Sequence, residues 1–492
     1  MPHLSSLARP KLLLAIVGAS LAAAILVAPD SGRTVEAVGG VTLGAGGEFH
    51  AVEPFRVLDT RDASAGSLAG VRTTGPLSSA PEIVVPISGR GDIPDFGDAD
   101  RNGFDDDVLA VVVNITVVEP TRPGYLTAFG TGTPSPARET SVVNFRSGDV
   151  VPNTAIIRLG VGGSLSMRLV TPSGIGGSHV VVDVSGWFSS SEHDVRGART
   201  VAVPPARIFD SHEPRFAPVP SGRAWQRTIP IHGAVDMYDS TRRVIPDDPD
   251  VVGVIVNLTG DRPSAATYVS LLGDPVASED DVSTSNLNLV AGQTRANLAI
   301  VPVPDDGDLT LFNLRGDVRL IIDVVGYLLA GVDERSTAGR VVPLVAPFRV
   351  FDTREAEFGS QRLPARYAED WNFDDFVADV RIDGRWVGEQ RGLFGNLTAT
   401  GLTRQSPSFP AAKSYLTAFP SPANGARPGA STLNVVEGDS VPNLVLLSYG
   451  PTEYQDDAFD PPVPVPVDHG VAVFNWSGFV HYLLDVYAVV LD

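Results

Sequence analysis

Three stretches of this chain open alike and close alike. The openings are PFRVLDT at 54–60, PARIFDS at 205–211 and PFRVFDT at 347–353. The closings are HVVVDVSGWF at 179–188, RLIIDVVGYL at 319–328 and HYLLDVYAVV at 481–490. Between them the same markers recur in the same order. Asn114 and Thr116 match Asn257 and Thr259, then Asn396 and Thr398; Tyr125 matches Tyr268 and Tyr415. Asn144, Asn288 and Asn434 each follow a serine by three residues, and Asn153 matches Asn297 and Asn443. A frame repeated at this length means three copies of one unit. The copies run over 49–190, 199–331 and 340–492, joined by short polar linkers.

The copies read as β structure. In the first, strand candidates lie at 54–59, 82–87, 109–118, 124–129, 141–145, 154–159, 163–170 and 179–188. They are short, rich in Val, Ile, Thr and aromatics, and parted by Gly, Pro, Asp and Ser. No stretch after residue 30 shows a helical period. The 49 glycines and 40 prolines, beside 43% hydrophobic residues, suit buried strands joined by turns. The expected fold is all-β: three tandem β-sandwich, jelly-roll-like domains after an N-terminal signal helix. Residues 109–113 and 180–182 are apolar at every position, which predicts central strands covered on both faces.

The N-terminus predicts an address. Arg9 and Lys11 precede the apolar run 12–27, the layout of a secretory signal. Sixteen helical residues span roughly 24 Å, short of the ~30 Å hydrocarbon core. Cleavage near Val35-Glu36-Ala37 gives a signal over 1–37 and a Gly-rich linker over 38–48. An uncleaved segment would be the chain's only membrane contact. The expected location is secreted or cell-surface. A net charge of −21 argues against nucleic acid as a partner. With no cysteine, disulfides, thiol catalysis and Cys-ligated metals are excluded.

These motifs resemble a family of secreted actinobacterial β-repeat modules. Its members open with Arg-[Val/Leu]-x-Asp-Thr-Arg, carry Leu-Asn-Val-Thr, Gly-Tyr-Leu-Thr and Asn-Leu-Asn, and close with Asp-Val-x-Gly-[Tyr/Trp/Phe]. Here the first copy has RVLDTR, VNIT, GYLT, VVNF and DVSGWF; the third has RVFDTR, GNLT, SYLT, TLNV and DVYAV. The resemblance covers nearly everything after the signal. It implies a surface or extracellular accessory role without catalysis. The third copy departs at Ala488, where the others have glycine, so a different last turn is expected there.

Several residue sets are candidates for function. Arg56, Arg207 and Arg349 recur in the first strand, and Asp183, Asp323 and Asp485 in the apolar last strand. A buried carboxylate needs a partner. Pairing Arg56 with Asp183, Arg207 with Asp323 and Arg349 with Asp485 would clasp each copy's ends together. The recurring asparagines are expected to bond backbone groups in turns. Residues 98–107 read DADRNGFDDD, with Asp98, Asp100, Asn102, Phe104 (by its carbonyl) and Asp106 at calcium-loop spacing and Asp107 as a substitute for the missing glutamate. Two readings stand there: a Ca2+ site or a solvated acidic loop.

The third copy carries long excursions at 366–394 and 450–469. Trp371 and Trp386 in the first are either sugar-stacking aromatics or core. No enzyme constellation emerges among the eight histidines, and no HExxH, GxSxG or phosphate loop occurs. The expected function is non-catalytic binding, adhesion or structure, directed at cell-wall or extracellular glycans or at other surface proteins. The competing class is a secreted glycosidase-like hydrolase with an unrecognised carboxylate pair.

Overall fold

The computed structural model describes residues 46–492 apart from 62–74, 79–81, 98–102, 104, 106, 134–139, 173, 191–192, 194, 215–218, 221–225, 283, 334, 383–384, 405–411, 423–427 and 457–462. The chain is all-β, and every named strand pairing is antiparallel. Each copy builds two main sheets with one shared topology, and the second and third copies each add a two-stranded hairpin. In the first copy, the larger sheet runs Phe49–Asp59, Gly177–Ser189, Val108–Val118, Val150–Arg158. The smaller runs Ile83–Pro86, Ser164–Val170, Gly124–Gly130, Val143–Phe145. The second and third copies repeat both orders. First and last strands are therefore neighbours in each copy.

The opening motif has a reason in this pairing. Two register shifts recur at equivalent places, one before Arg56, Arg207 and Arg349 and one just after. Pro54, Pro205 and Pro347 lie within the first irregular stretch, where a missing N–H is tolerated. Bulges bend and twist a strand and re-aim its side chains. Val108–Val118 is buried at every position because it lies between two strands and is covered on both faces.

The expectation of three separate sandwich domains is corrected. The six sheets stand in one propeller-like arrangement, two blades to a copy. The innermost strands Val150–Arg158, Thr294–Pro302 and Ser440–Ser448 contact one another about a pseudo-threefold axis. Ile156, Ile300 and Leu446 hold the same repeat position and join one buried cluster with Leu298 and Leu444. Phe188 and Phe394 meet edge to face at 6.5 Å in that cluster. Apolar side chains needed by each inner strand are thus supplied by the other two copies.

The axis closes at one pole through backbone. Gly47 pairs with Val341, Phe49 with Ala198, and Thr200 N–H donates to Gly339 O at 2.8 Å. The close of the third copy shows no separate turn. Gly186, Gly326 and Ala488 all lie within strands, facing Ala51, Ala202 and Pro343. A Cβ on Gly186 would stand 2.3 Å from the Phe49 ring, so glycine there serves close approach. One short helix, Asp374–Asp379, lies in the third copy's excursion and buries Phe376 and Val377. It is too short for a period to register in sequence. Among the described residues no helix is long and apolar enough to cross a membrane.

Candidate functional site

The recurring charged residues form one row across the sheet that holds each copy's first and last strands. Arg56 faces Asp183, which faces Asn114 on the next strand; the second and third copies repeat this with Arg207, Asp323, Asn257 and Arg349, Asp485, Asn396. Each arginine forks onto its aspartate. The Nε donates at 2.8 Å in all three copies, and the Nη2 at 3.2, 3.2 and 3.0 Å. The remaining Nη1 reaches a second carboxylate three residues on, Asp59, Asp210 or Asp352.

Burial raises the pKa of Asp183, Asp323 and Asp485, and the facing guanidinium opposes that shift. Burial also acts on Asp59 and Asp352, but hydrogen bonds from Arg61 and Arg354 outweigh it and hold both below the ordinary range. The row is an internal ion-pair network of bidentate geometry.

The asparagines bond backbone groups as expected, but from within strands rather than turns, and the Asn114 and Asn153 sets join copies. Asn297 Nδ2 donates to Asn114 Oδ1 at 3.2 Å, Asn443 to Asn257 at 2.7 Å, and Asn153 to Asn396 at 3.1 Å. Their carbonyl oxygens accept backbone N–H groups from the same neighbours: Thr154, Leu298 and Leu444 at 3.0, 3.2 and 3.2 Å. Asn114, Asn257 and Asn396 in turn donate to Ser285, Ser431 and Ser141 carbonyls, again in a neighbouring copy. The set runs cyclically, each copy bonded to both others. Asn144 and Asn288 brace the serine hydroxyls from within their own copy, both at 2.9 Å.

Of the proposed calcium ligands, Asp98, Asp100, Asn102, Phe104 and Asp106 lie outside the described residues. Asp107 is described, and its Oδ1 lies 3.2 Å from His193 Nδ1. Asp105 turns inward. It accepts Ser88 Oγ at 2.5 Å and the N–H groups of Asp107 and Val108 at 3.0 and 3.2 Å, pinning the start of a central strand. Burial raises its pKa.

The two candidate tryptophans part company. Trp371 stacks on Phe351 at 4.4 Å and donates Nε1–H to Tyr482 Oη at 2.8 Å, packed against the third copy's core. It is a structural residue. Trp386 is 45% exposed, held by one bond from Nε1 to Val377 O at 3.1 Å. A third aromatic site escaped the sequence reading: Trp476 stacks with Tyr415 at 5.3 Å, and the Arg366 guanidinium lies 3.1 Å from its ring centre. Both tyrosine and tryptophan fall outside the long excursions, so only strand pairing brings them together. His179 and His481 bond Thr60 and Thr353 hydroxyls at 3.1 and 3.2 Å.

The concavities at the seams are small. One between the second and third copies, about 10 Å³ and lined in part by Asn257, Asp323, Ser431 and Thr432, has room for a single water.

No family model matches the chain, and no curated protein does. One solved structure, described as the triple jelly roll fold and turret assembly in an archaeal virus, aligns over 91% of this chain and 90% of its own. Its identity is 8% and its TM-score 0.17. The N-terminal CBM22-1–CBM22-2 tandem domain of Paenibacillus barcinonensis Xyn10C aligns over 57% of this chain and 99% of its own, at 12% identity and a TM-score of 0.14. Neither likeness carries an argument about this chain.

Proposed function

We propose that the chain is an exported, non-catalytic binding protein of the cell surface or extracellular medium, with the three-copy ring as scaffold and the third copy as the binding element. The observation that supports this reading is a division of labour. The recurring Arg–Asp pairs and the Asn114 and Asn153 sets are bonded within the ring, whereas the exposed indole of Trp386 occurs in an excursion of one copy alone. Binding residues concentrate on insertions displayed by rigid frames. A flat exposed indole stacks on the apolar face of a sugar ring through the same dispersion and quadrupole terms that pair aromatic side chains. Glycans are therefore the ligand class.

The test is a titration of tryptophan fluorescence with soluble cell-wall polysaccharide fragments, comparing the parent chain with Trp386→Ala. Saturable quenching that the variant loses, at an unchanged melting temperature, supports the reading. Binding that survives the substitution, or no binding across chemically distinct polysaccharides, removes it.

A further inference from the structure

Glu48, Arg199 and Arg340 occupy one position of the repeat. Each precedes a residue paired across to its copy's last strand: Phe49 to Phe188, Thr200 to Leu328, Val341 to Val490. The three meet at the pole where the backbone closes. Arg199 Nε donates to Glu48 Oε1 at 3.0 Å, its Nη2 lies 2.9 Å from the same oxygen, and Arg340 Nη2 lies 3.9 Å away. Their side chains are 8%, 2% and 9% exposed for Glu48, Arg199 and Arg340. Arg196 and the Gly197 N–H complete the shell around Glu48, at 3.1 and 2.8 Å.

The opposite arrangement sits at the start of the inner strands. Two residues before the linking asparagines stand Val151, Arg295 and Val441, all buried. Arg295 is the single cation of that trio, and burial works against its charge. Asp149 and Asp439, from the two other copies, lie close enough to support it. The second copy's counterpart of those aspartates is Gln293. One site thus holds a carboxylate among arginines; the other holds an arginine flanked by two carboxylates, of which Asp439 also pairs with Arg146 of the first copy.

The asparagine contacts are alike at all three seams, so on their own they would fit any copy beside any other. The charges are not alike. Three copies of the second repeat would bury three Arg199 and three Arg295 side chains; three of the first would bury three Glu48 carboxylates. Like charges brought together away from water are strongly disfavoured. We infer that these buried charges fix which repeat sits beside which, so that the ring closes only as one of each and rejects a second copy of the same repeat from a neighbouring chain. Glu48 is the residue that sets this order, as the lone carboxylate among three arginines. Polar groups that select one assembly over near-equivalent alternatives act in this way.

The test uses the full chain. Glu48→Arg, Arg199→Glu and the exchanged pair are compared by thermal unfolding and by light scattering after size exclusion. Breaking a buried pair in a chain of this length lowers the melting temperature by about 3–5 °C. Each single change is expected to do so and to populate oligomers that share repeats. The exchanged pair, with one carboxylate and two guanidiniums restored, is expected to recover at least half of the loss and the monomer. Glu48→Gln is expected to lose less than Glu48→Arg. Losses that simply add in the exchanged pair, or equal losses for the Gln and Arg variants, overturn the inference. If Glu48→Arg does not fold, the cycle of Glu48→Gln with Arg199→Gln reads the same coupling: a non-additive double supports it and an additive one overturns it.

Discussion

Asn443 donates its side-chain N–H to Asn257 Oδ1 across 2.7 Å, and Asn443 Oδ1 accepts the backbone N–H of Leu298 at 3.2 Å. One amide therefore ties the third copy to the second through both a side chain and a strand. Asn443 and Asn257 are 0% and 3% exposed, so water cannot replace either bond. Asn443→Ala is expected to destabilise the chain by about 2–4 kcal/mol, because it deprives the buried Asn257 Oδ1 and the Leu298 N–H of their Asn443 partner. Urea unfolding measures it. Combined with Asn257→Ala the loss should be less than additive, as expected for groups in direct contact.

The clasps should differ in strength by exposure. Arg207 and Asp323 side chains are 10% and 1% exposed, whereas the Arg56 side chain is 33% exposed. Asp323→Ala removes the forked partner of the buried Arg207 guanidinium, leaving it Asp210, and should cost about 3–5 kcal/mol. Asp183→Ala should cost less, because solvent reaches Arg56. Replacing Arg207 and Asp323 together by Met and Leu should cost far less than Asp323→Ala alone. Chemical unfolding of the three variants gives the order, and equal losses for the two aspartates would contradict it.

Stability should weaken in mild acid through His50. Its ring stacks on Trp187 at 4.2 Å and meets His193 edge-on at 5.4 Å, with Nε2 buried and without a hydrogen-bond partner among the described residues. Burial, aided by His193 and opposed by Glu48, lowers its pKa from 6.5 to about 4. The unfolded chain therefore takes up this proton first, and stability rises with pH across the window. The contribution is complete above pH 6.5 and lost progressively as pH falls toward 4. His50→Phe keeps the stack on Trp187 and should flatten the melting temperature between pH 6.5 and 5, where few carboxylates titrate. An unchanged slope would assign the effect elsewhere.

The two tryptophans of the third copy's excursion should separate cleanly in unfolding experiments. Trp371→Ala removes a ring stacked on Phe351 and a hydrogen bond to Tyr482, and should cost about 3–5 kcal/mol. Trp386→Ala truncates a half-exposed side chain and should cost under about 1 kcal/mol. Thermal melts of both variants decide it.

What sequence could reveal here depended on whether a residue's partner lay in its own copy. Asp183 stands in an apolar strand and so demands a cation, and Arg56 is the recurring cation in the same unit. The strand at 108–118 announced its two covered faces through the unbroken apolar run 109–113. Asn153 and Asn443 gave no comparable signal. Their partners lie in other copies, 243 and 186 residues away along the chain, and an asparagine in isolation fits a turn as well as a seam. The same gap hid the ring. Ile156, Ile300 and Leu446 look like ordinary core residues of three separate units, and only their convergence on one axis makes a shared interior. Trp476 and Tyr415 stayed hidden for a related reason, since 61 positions separate residues that strand pairing sets side by side.

The backbone closure near Glu48 also decides how the molecule carries load. Gly47 bonds Val341 in both directions, at 2.8 and 2.9 Å, while Gly339 and Arg340 bond Leu491, each at 2.9 Å. The beginning and end of the ring are thus both fastened to the three residues 339–341. Tension between those two ends does not run through the three sandwiched cores in series. It falls first on four backbone hydrogen bonds at one pole, which act as a mechanical fuse. The first extension under pull should be the parting of the first and third copies, with the second still seated against each.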